Sequence, residues 1–237
     1  TDKDFDVDKI LQHCLEDLEQ LGRLLDLSLV VLKSKDAKYE QLRKLLTGKG
    51  LSKTDKKEVF DPHFANQKVI VFTEFADTAR YLANNLERDG VTNLDRIDGS
   101  RKADRYEMIK RFAPYYNRVN VVDRAKIKPI RVLISTDVLS EGVNLQDATE
   151  IINYDIHWNP VRLMQRIGRI DRRLNEETEK EIIKDNPNLK ASRGTINIRN
   201  FLPTEELRRL ISLHERVEQR VNLISKTLGI PGGKLLN

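Results

Sequence analysis

Residues 161–173, VRLMQRIGRIDRR, hold the side chains whose types and spacing best suit chemistry. Gln165, Arg166, Gly168, Arg169 and Arg172 form the pattern Q-R-x-G-R-x-x-R. On a helix, Arg166 and Arg169 lie three apart, as do Arg169 and Arg172, so each pair shares a face. Three clustered guanidiniums repel one another unless an anion sits among them. Arginine suits that anion when it is a phosphate, because its planar fork stays charged and matches phosphate geometry. Gly168 would let another backbone come close, at a helix-propensity cost of about 1 kcal/mol against alanine. The same residues also describe a solvated basic helix face.

The elements that must carry this segment are legible from periodicity. Residues 69–72, 131–135 and 150–154 are short apolar runs, the mark of parallel strands buried on both faces. A further short strand is expected at 94–98 and an edge strand at 195–200, where TINIRN alternates apolar and polar residues. Helices are expected at 76–88, with Ala79, Leu82 and Leu86 inward, at about 102–112, and from Pro160 onward. Residues 113–129 read as a long irregular insertion, and 175–189 as acidic and helical in part. Strand–helix alternation implies an α/β fold, a parallel sheet with helices on both faces. Ligands of such sheets meet the loops at the carboxyl ends of the strands. Those loops hold Thr73, residues 98–100, residues 136–146 and residues 155–160.

Helical extensions flank this core. Residues 6–33 keep Leu11, Leu15, Leu18, Leu25, Leu29 and Leu32 at steps of three and four, with Gly22 at a missing step and Asp6 or Asp8 as cap. A second helix at 36–47 ends at Gly48, and 48–67 reads as a linker. Thr204 would cap a last helix running to about 228. The expected division is 1–60 as helical extension and linker, 61–203 as the α/β domain, and 204–237 as a brace helix.

Composition narrows the class. The chain has 237 residues, is 39% hydrophobic and 33% charged, and carries a net charge of +5. Residues 160–174 hold five arginines against Asp171 alone, and the basic excess of the C-terminal half points to a polyanionic partner. No apolar run is long enough to cross a bilayer, so no membrane partner is expected. One cysteine, Cys14, excludes an internal disulfide, and the four histidines show no ligand spacing. The expectation is a reducing cytoplasm.

Three blocks now stand in order: KVIVFTEF at 68–75, VLISTDVLSEGVNLQ at 132–146 and QRIGRIDR at 165–172. Their order and separations resemble the second RecA-like domain of superfamily 2 helicases, where they would be motifs IV, V and VI. Gly142, Val143, Asn144 and Leu145 look like the G-I-N-L of the Swi/Snf-like branch. SEGVNLQDA with QRIGRIDR is similar to the bacterial RNA-polymerase-associated ATPase of that branch. The branch usually ends motif VI with R-I-G-Q, whereas here Arg172 is followed by Arg173, Leu174 and Asn175, which favours a divergent bacterial member.

The resemblance implies a role for each matched position. Arg169 and Arg172 would be catalytic arginine fingers reaching the ATP γ-phosphate, worth about 10³–10⁵ in rate. Gly142 and Asn144 would line the nucleotide side of the cleft. Gln165 and Arg166 would position the motif VI helix and link it to the motif V loop. Thr73, Thr136 and Ser100 would contact nucleic-acid phosphates. The cofactor would be ATP with Mg, the metal being held by the first RecA-like domain. The implied partners are that domain, nucleic acid with double-stranded DNA favoured, and a protein cargo such as RNA polymerase. Plainer roles stand beside these. A threonine after a strand is a common helix cap, Asp137 and Glu141 could simply neutralise nearby arginines, Trp158 reads as core and His157 as structural.

No G-x-x-x-x-G-K-[ST] loop and no D-E-x-H block occurs in the chain. With no initial methionine, the expectation is a fragment, inactive alone, of a longer ATP-dependent motor. Two other readings compete: a non-catalytic interaction module on the same fold, and a free-standing nucleotide-binding domain. The latter needs a glycine-rich first loop, which TEFADT at 73–78 is not.

Overall fold

The computed structural model describes residues 6–33, 36–48, 67–99, 105–139, 144–157, 159–171 and 174–202. Ser100, Gly142, Trp158, Arg172, the 49–66 linker and the expected last helix lie outside them. The chain falls into two compact units, Thr1–Leu42 and Arg43–Asn237.

The first unit is dominated by α1 (Val7–Lys33), which begins where expected: the backbone N–H of Lys9 donates to Asp6 Oδ1 at 3.1 Å. Its leucine seam is exposed at Leu11, Leu15, Leu18, Leu25 and Leu29. Helix α2 (Ala37–Thr47) crosses the boundary between the units and ends at Gly48, whose φ of 66° is left-handed and whose N–H donates to the Lys44 carbonyl at 2.8 Å.

The second unit is built on five parallel strands: β1 (Val69–Phe72), β2 (Leu94–Ile97), β3 (Val132–Ser135), β4 (Glu150–Asn153) and β5 (Asn197–Asn200), in the order β2-β3-β1-β4-β5. Val69 pairs with Val132 on one side and Glu150 on the other, so β1 is the central strand. Strands β1, β3 and β4 are buried at every position, which is why β1 is an unbroken apolar run, and why β3 and β4 have continuous apolar centres, VLI and II, rather than alternation. Strand β5 sits at the sheet edge, half-buried throughout.

Helices cover both faces. Ile70, Phe72, Leu133 and Ile151 form one cluster with Met108, Ile109 and Phe112 of α4 (Arg105–Phe112). Val69 and Val71 fall on the opposite face by the two-residue strand period. Helix α3 (Ala76–Arg88), with Ala79, Leu82 and Leu86 buried, contacts β2 and β3. Phe112 is fully buried, and truncating such a side chain to alanine costs about 3–5 kcal/mol.

The insertion expected to be irregular is ordered. A turn over 114–118 leads into α5 (Val121–Lys126), capped by Asn120, whose side chain accepts from the Asp123 N–H at 2.9 Å. The six-residue helix was hidden because it buries no side chain and so shows no apolar period. Helix α6 (Pro160–Ile167) carries the first part of the arginine motif. Helix α7 (Glu176–Asp185) follows, capped by Asn175.

Candidate functional site at the carboxyl ends of the strands

Parallel pairing brings the ends of β1, β2, β3 and β4 to one edge of the sheet. Thr73 is wholly buried there. Its hydroxyl donates to Asp155 Oδ2 at 2.5 Å, and the Glu74 N–H reaches the same oxygen at 3.4 Å. Thr136, one strand over, is also buried, yet among the described residues its Oγ1 has no hydrogen-bond partner. A buried hydroxyl left this way costs about 1–3 kcal/mol, which a ligand oxygen at that position would recover.

Helix α6 starts where Asn159 Oδ1 accepts from the Val161 N–H at 3.0 Å and Pro160 occupies the first turn. The helix is short because the chain leaves it at Gly168. The Gly168 N–H still bonds the Met164 carbonyl at 2.8 Å, but 168–170 form a turn. Arg166 and Arg169 therefore do not share one face of a continuous helix, as their spacing predicts. Arg166 points inward, 3% exposed, while Arg169 is half-buried in the turn beyond the helix and Gln165 is exposed. The close neighbours of a Cβ built at Gly168, among the described residues, are carbonyls of its own preceding turn, Met164 O at 3.2 Å being nearest. The expected approach of a second backbone is absent among those residues.

Arg166 is the centre of the site. Its Nε donates to Asp137 Oδ1 at 2.7 Å and its Nη2 to Asp137 Oδ2 at 3.1 Å, the two-pronged pairing that arginine geometry favours. Nη1 donates to Asn153 Oδ1 and to the Asp155 carbonyl, each at 3.2 Å. The guanidinium lies 5.1 Å from the Phe72 ring centroid. One side chain thus ties α6 to the loop after β3 and to the end of β4. Arg162, largely exposed, adds a 3.5 Å contact to Asp137 that solvent leaves weak.

Asn144 turns toward the insertion: its Nδ2 donates to the Tyr116 carbonyl at 3.3 Å, and its own carbonyl accepts from Asn117 Nδ2 at 2.8 Å. His157 is buried, and its Nδ1 accepts from the Asn159 N–H at 2.8 Å. Burial pushes its pKa down, against the raising effect of Glu74, so the neutral ring serves as a loop cap.

Arg166 is committed internally to Asp137, Asn153 and the Asp155 carbonyl. Arg162 lies 3.5 Å from Asp137 beside it, and Arg169 follows in the turn after α6. Among the described residues no three His, Cys, Asp or Glu side chains group as a metal site requires.

Asp155 and Asn153 were not singled out from sequence, although both belong to the strand-end run NYD at 153–155. The insertion carries Arg118, Arg124, Lys126 and Lys128, and it keeps Arg124 for itself. That guanidinium pairs with Glu181, lies 3.7 Å from Asp185 and sits 4.3 Å from the Tyr115 ring centroid.

Residues 37–173 match the family described as the helicase conserved C-terminal domain. An uncharacterized ATP-dependent helicase of Bacillus subtilis, YqhH, is 38% identical over 117 residues, 49% of this chain and 18% of that protein. The ATP-dependent RNA helicase ROK1 of Yarrowia lipolytica is 34% identical over 101 residues, 43% of this chain and 16% of that protein. The RNA polymerase-associated protein RapA of Sodalis glossinidius is 36% identical over 107 residues, 45% of this chain and 10% of that protein. The matched stretch thus spans less than a fifth of each of these relatives.

Proposed function

The chain belongs to the helicase conserved C-terminal domain family, and from that premise we propose that it is the C-terminal half of an ATP-dependent nucleic-acid motor. The observation that carries this reading is the Arg166 tether. By binding Asp137, Asn153 and the Asp155 carbonyl, Arg166 fixes the end of α6 over the strand edge and so sets where Arg169 emerges. In this reading Arg169 and Arg172 act as fingers on the γ-phosphate of ATP seated on a first RecA-like domain. Each stabilises negative charge that grows on the transferring phosphoryl oxygens. Gly142, Asn144 and Gln165 border the nucleotide. Thr136 and Thr73, with Ser100, face the nucleic-acid backbone. Mg supplies charge neutralisation at the phosphates and belongs to the first domain.

We read the track as double-stranded DNA, followed without strand separation, as the motif V block GVNLQ and the similarity to RapA favour. Strand separation needs an unstacking wedge. The aromatic candidates in the insertion, Tyr115 and Tyr116, are both held by their hydroxyls, to Asp185 at 3.0 Å and Glu179 at 2.7 Å. Similarity to an RNA helicase makes RNA the alternative that experiment must separate.

The test is hydrolysis by the intact protein and by its Arg169→Ala variant, with duplex DNA, single-stranded DNA and RNA as activators. We expect duplex-stimulated turnover that falls by about 10³-fold or more in the variant, with duplex affinity nearly unchanged. The isolated 237-residue chain should not turn over. Normal turnover by Arg169→Ala would reduce the arginines to a solvated face. Stimulation by RNA alone would reassign the track.

A further inference from the structure

We propose that Arg193 is a positioning residue for this motor: it locks the end of the motif V loop to a lateral lobe built from α7, the following turn and the insertion. The proposal rests on the motor reading above. Arg193 belongs to none of the three motif blocks, yet its side chain is only 5% exposed. Its Nη1 donates to the Asp147 carbonyl at 3.0 Å and its Nη2 to the Gln146 carbonyl at 2.9 Å. These two residues close the loop that carries Gly142 and Asn144. Its Nε also donates to Glu179 Oε2 at 2.7 Å, and its Nη2 to Oε1 at 2.5 Å.

The lobe has little freedom to let that guanidinium move. Burial opposes ionisation of Glu179, but hydrogen bonds from Arg193 and Tyr116 hold its carboxyl below the ordinary glutamate range. Tyr116 reaches Glu179 by its hydroxyl, and its backbone N–H donates to Asp147 Oδ1 at 3.0 Å. The Tyr115 N–H donates to Asp147 Oδ2 at 3.1 Å, and Lys68 Nζ lies 3.7 Å from that oxygen. Asp147 is thus gripped through both its carbonyl and its carboxylate. Arg193 also borders a small cavity shared with Gln146, Ile170, Asp171 and Leu174. It therefore stands where the motif V loop meets the chain that leaves motif VI.

An arginine is needed here because one planar fork must serve two carbonyls and a carboxylate together. Lysine would keep the charge opposite Glu179 but could not span all three acceptors. Releasing residues 146 and 147 shifts the loop that must align with the γ-phosphate, and misplacements of about 1 Å cost about 100-fold in rate.

The experiment compares wild type, Arg193→Lys, Arg193→Ala and Arg124→Ala in the intact protein. Arg124 ties the same lobe together through Glu181 but makes no hydrogen bond to residues 144–147 in the structure. It controls for loosening alone. At saturating ATP and duplex, both Arg193 variants should lose about tenfold or more in kcat, with duplex half-saturation within about twofold of wild type. Arg124→Ala should lower the thermal midpoint without that loss of kcat. If Arg193→Ala fails to fold, Arg193→Lys decides. Wild-type kcat in Arg193→Lys, or an equal loss in Arg124→Ala, overturns the proposal and leaves the motor reading intact. Absence of nucleic-acid-stimulated hydrolysis in wild type overturns both.

Discussion

Arg166 and Arg193 are both buried among carboxylates and backbone carbonyls, and they were announced very differently. Arg166 lies inside the motif Q-R-x-G-R-x-x-R; Arg193 lies in the unremarked stretch KASRGT at 190–195. Their surroundings are nevertheless alike. Each makes a two-pronged pair with one carboxylate, Asp137 for Arg166 and Glu179 for Arg193. Each also caps main-chain oxygen, from Asp155 in one case and from Gln146 and Asp147 in the other. The physics is common to both: a guanidinium removed from water persists only where anions and carbonyls satisfy its donors. The difference is in what each joins. Arg166 joins strand ends within the sheet edge, whereas Arg193 joins that edge to an appended lobe. Arg166 thus falls inside a recognisable pattern of residues, whereas the joint made by Arg193 lies outside the three blocks.

The largest effect should separate the two joints by stability. Arg166→Ala leaves Asp137 facing a vacated cavity and removes four hydrogen bonds. Urea unfolding should show a loss of about 3 kcal/mol, the lower end for a broken buried pair because Asp137 keeps some solvent. A loss no larger than that of an exposed pair, about 0.5 kcal/mol, would mean the joint at the sheet edge is dispensable and the likeness to Arg193 superficial.

An intermediate effect comes from pH. Burial first, and then hydrogen bonding to Asp185 or Glu179, pushes the Tyr115 and Tyr116 phenols up to about 12 from an ordinary 10.0. A pKa raised in the folded state contributes stability that is fully present below the unfolded pKa and is lost as pH rises through the folded one. Between about pH 10 and 12 the α7 lobe should therefore loosen while the Arg166 joint, which contains no phenol, persists. Amide exchange of α7 against α6 across that range checks it. Equal protection of both helices through pH 12 would remove the distinction. In ultraviolet titration, the late tyrosinate component should vanish in a variant carrying Tyr115→Phe and Tyr116→Phe.

The smallest effect concerns the unpartnered Thr136 hydroxyl. Thr136→Val removes a buried group that bonds nothing, so the free protein should change by less than about 1 kcal/mol, in the stabilising direction. Duplex affinity should fall severalfold, read by titration at two salt concentrations. Stability lost with affinity unchanged would show that Thr136 serves the fold alone.

Much of the fold was legible because its signals were local. Val69–Phe72, Val132–Ser135 and Glu150–Asn153 were visible as short apolar runs, since burial on both faces removes the alternation that would blur them. Helix α3 was visible from Ala79, Leu82 and Leu86, and its end from Gly90, whose φ of 86° suits glycine. Helix α5 was not, because nothing on it is buried. Thr73 and Thr136 follow β1 and β3 as their sequence positions predict, but the directions in which Arg166 and Asn144 point were not readable from their spacing.

Sequence alone determined the strand–helix alternation, the parallel sheet, the three ordered blocks and the placement of arginines after the last central strand. The alternation and the sheet rest on periodicities within a few residues, and the blocks on short runs whose order resembles a known family. Only the tertiary structure decided that α6 stops at Ile167, that Arg166 turns inward to Asp137, that Thr73 is satisfied while Thr136 is not, and that Arg193 grips residues 146 and 147. Each of these depends on which carbonyl or carboxylate lies opposite a given donor. That partner sits between 29 and 82 residues away in the chain for the side-chain pairs concerned, a distance over which no local pattern extends.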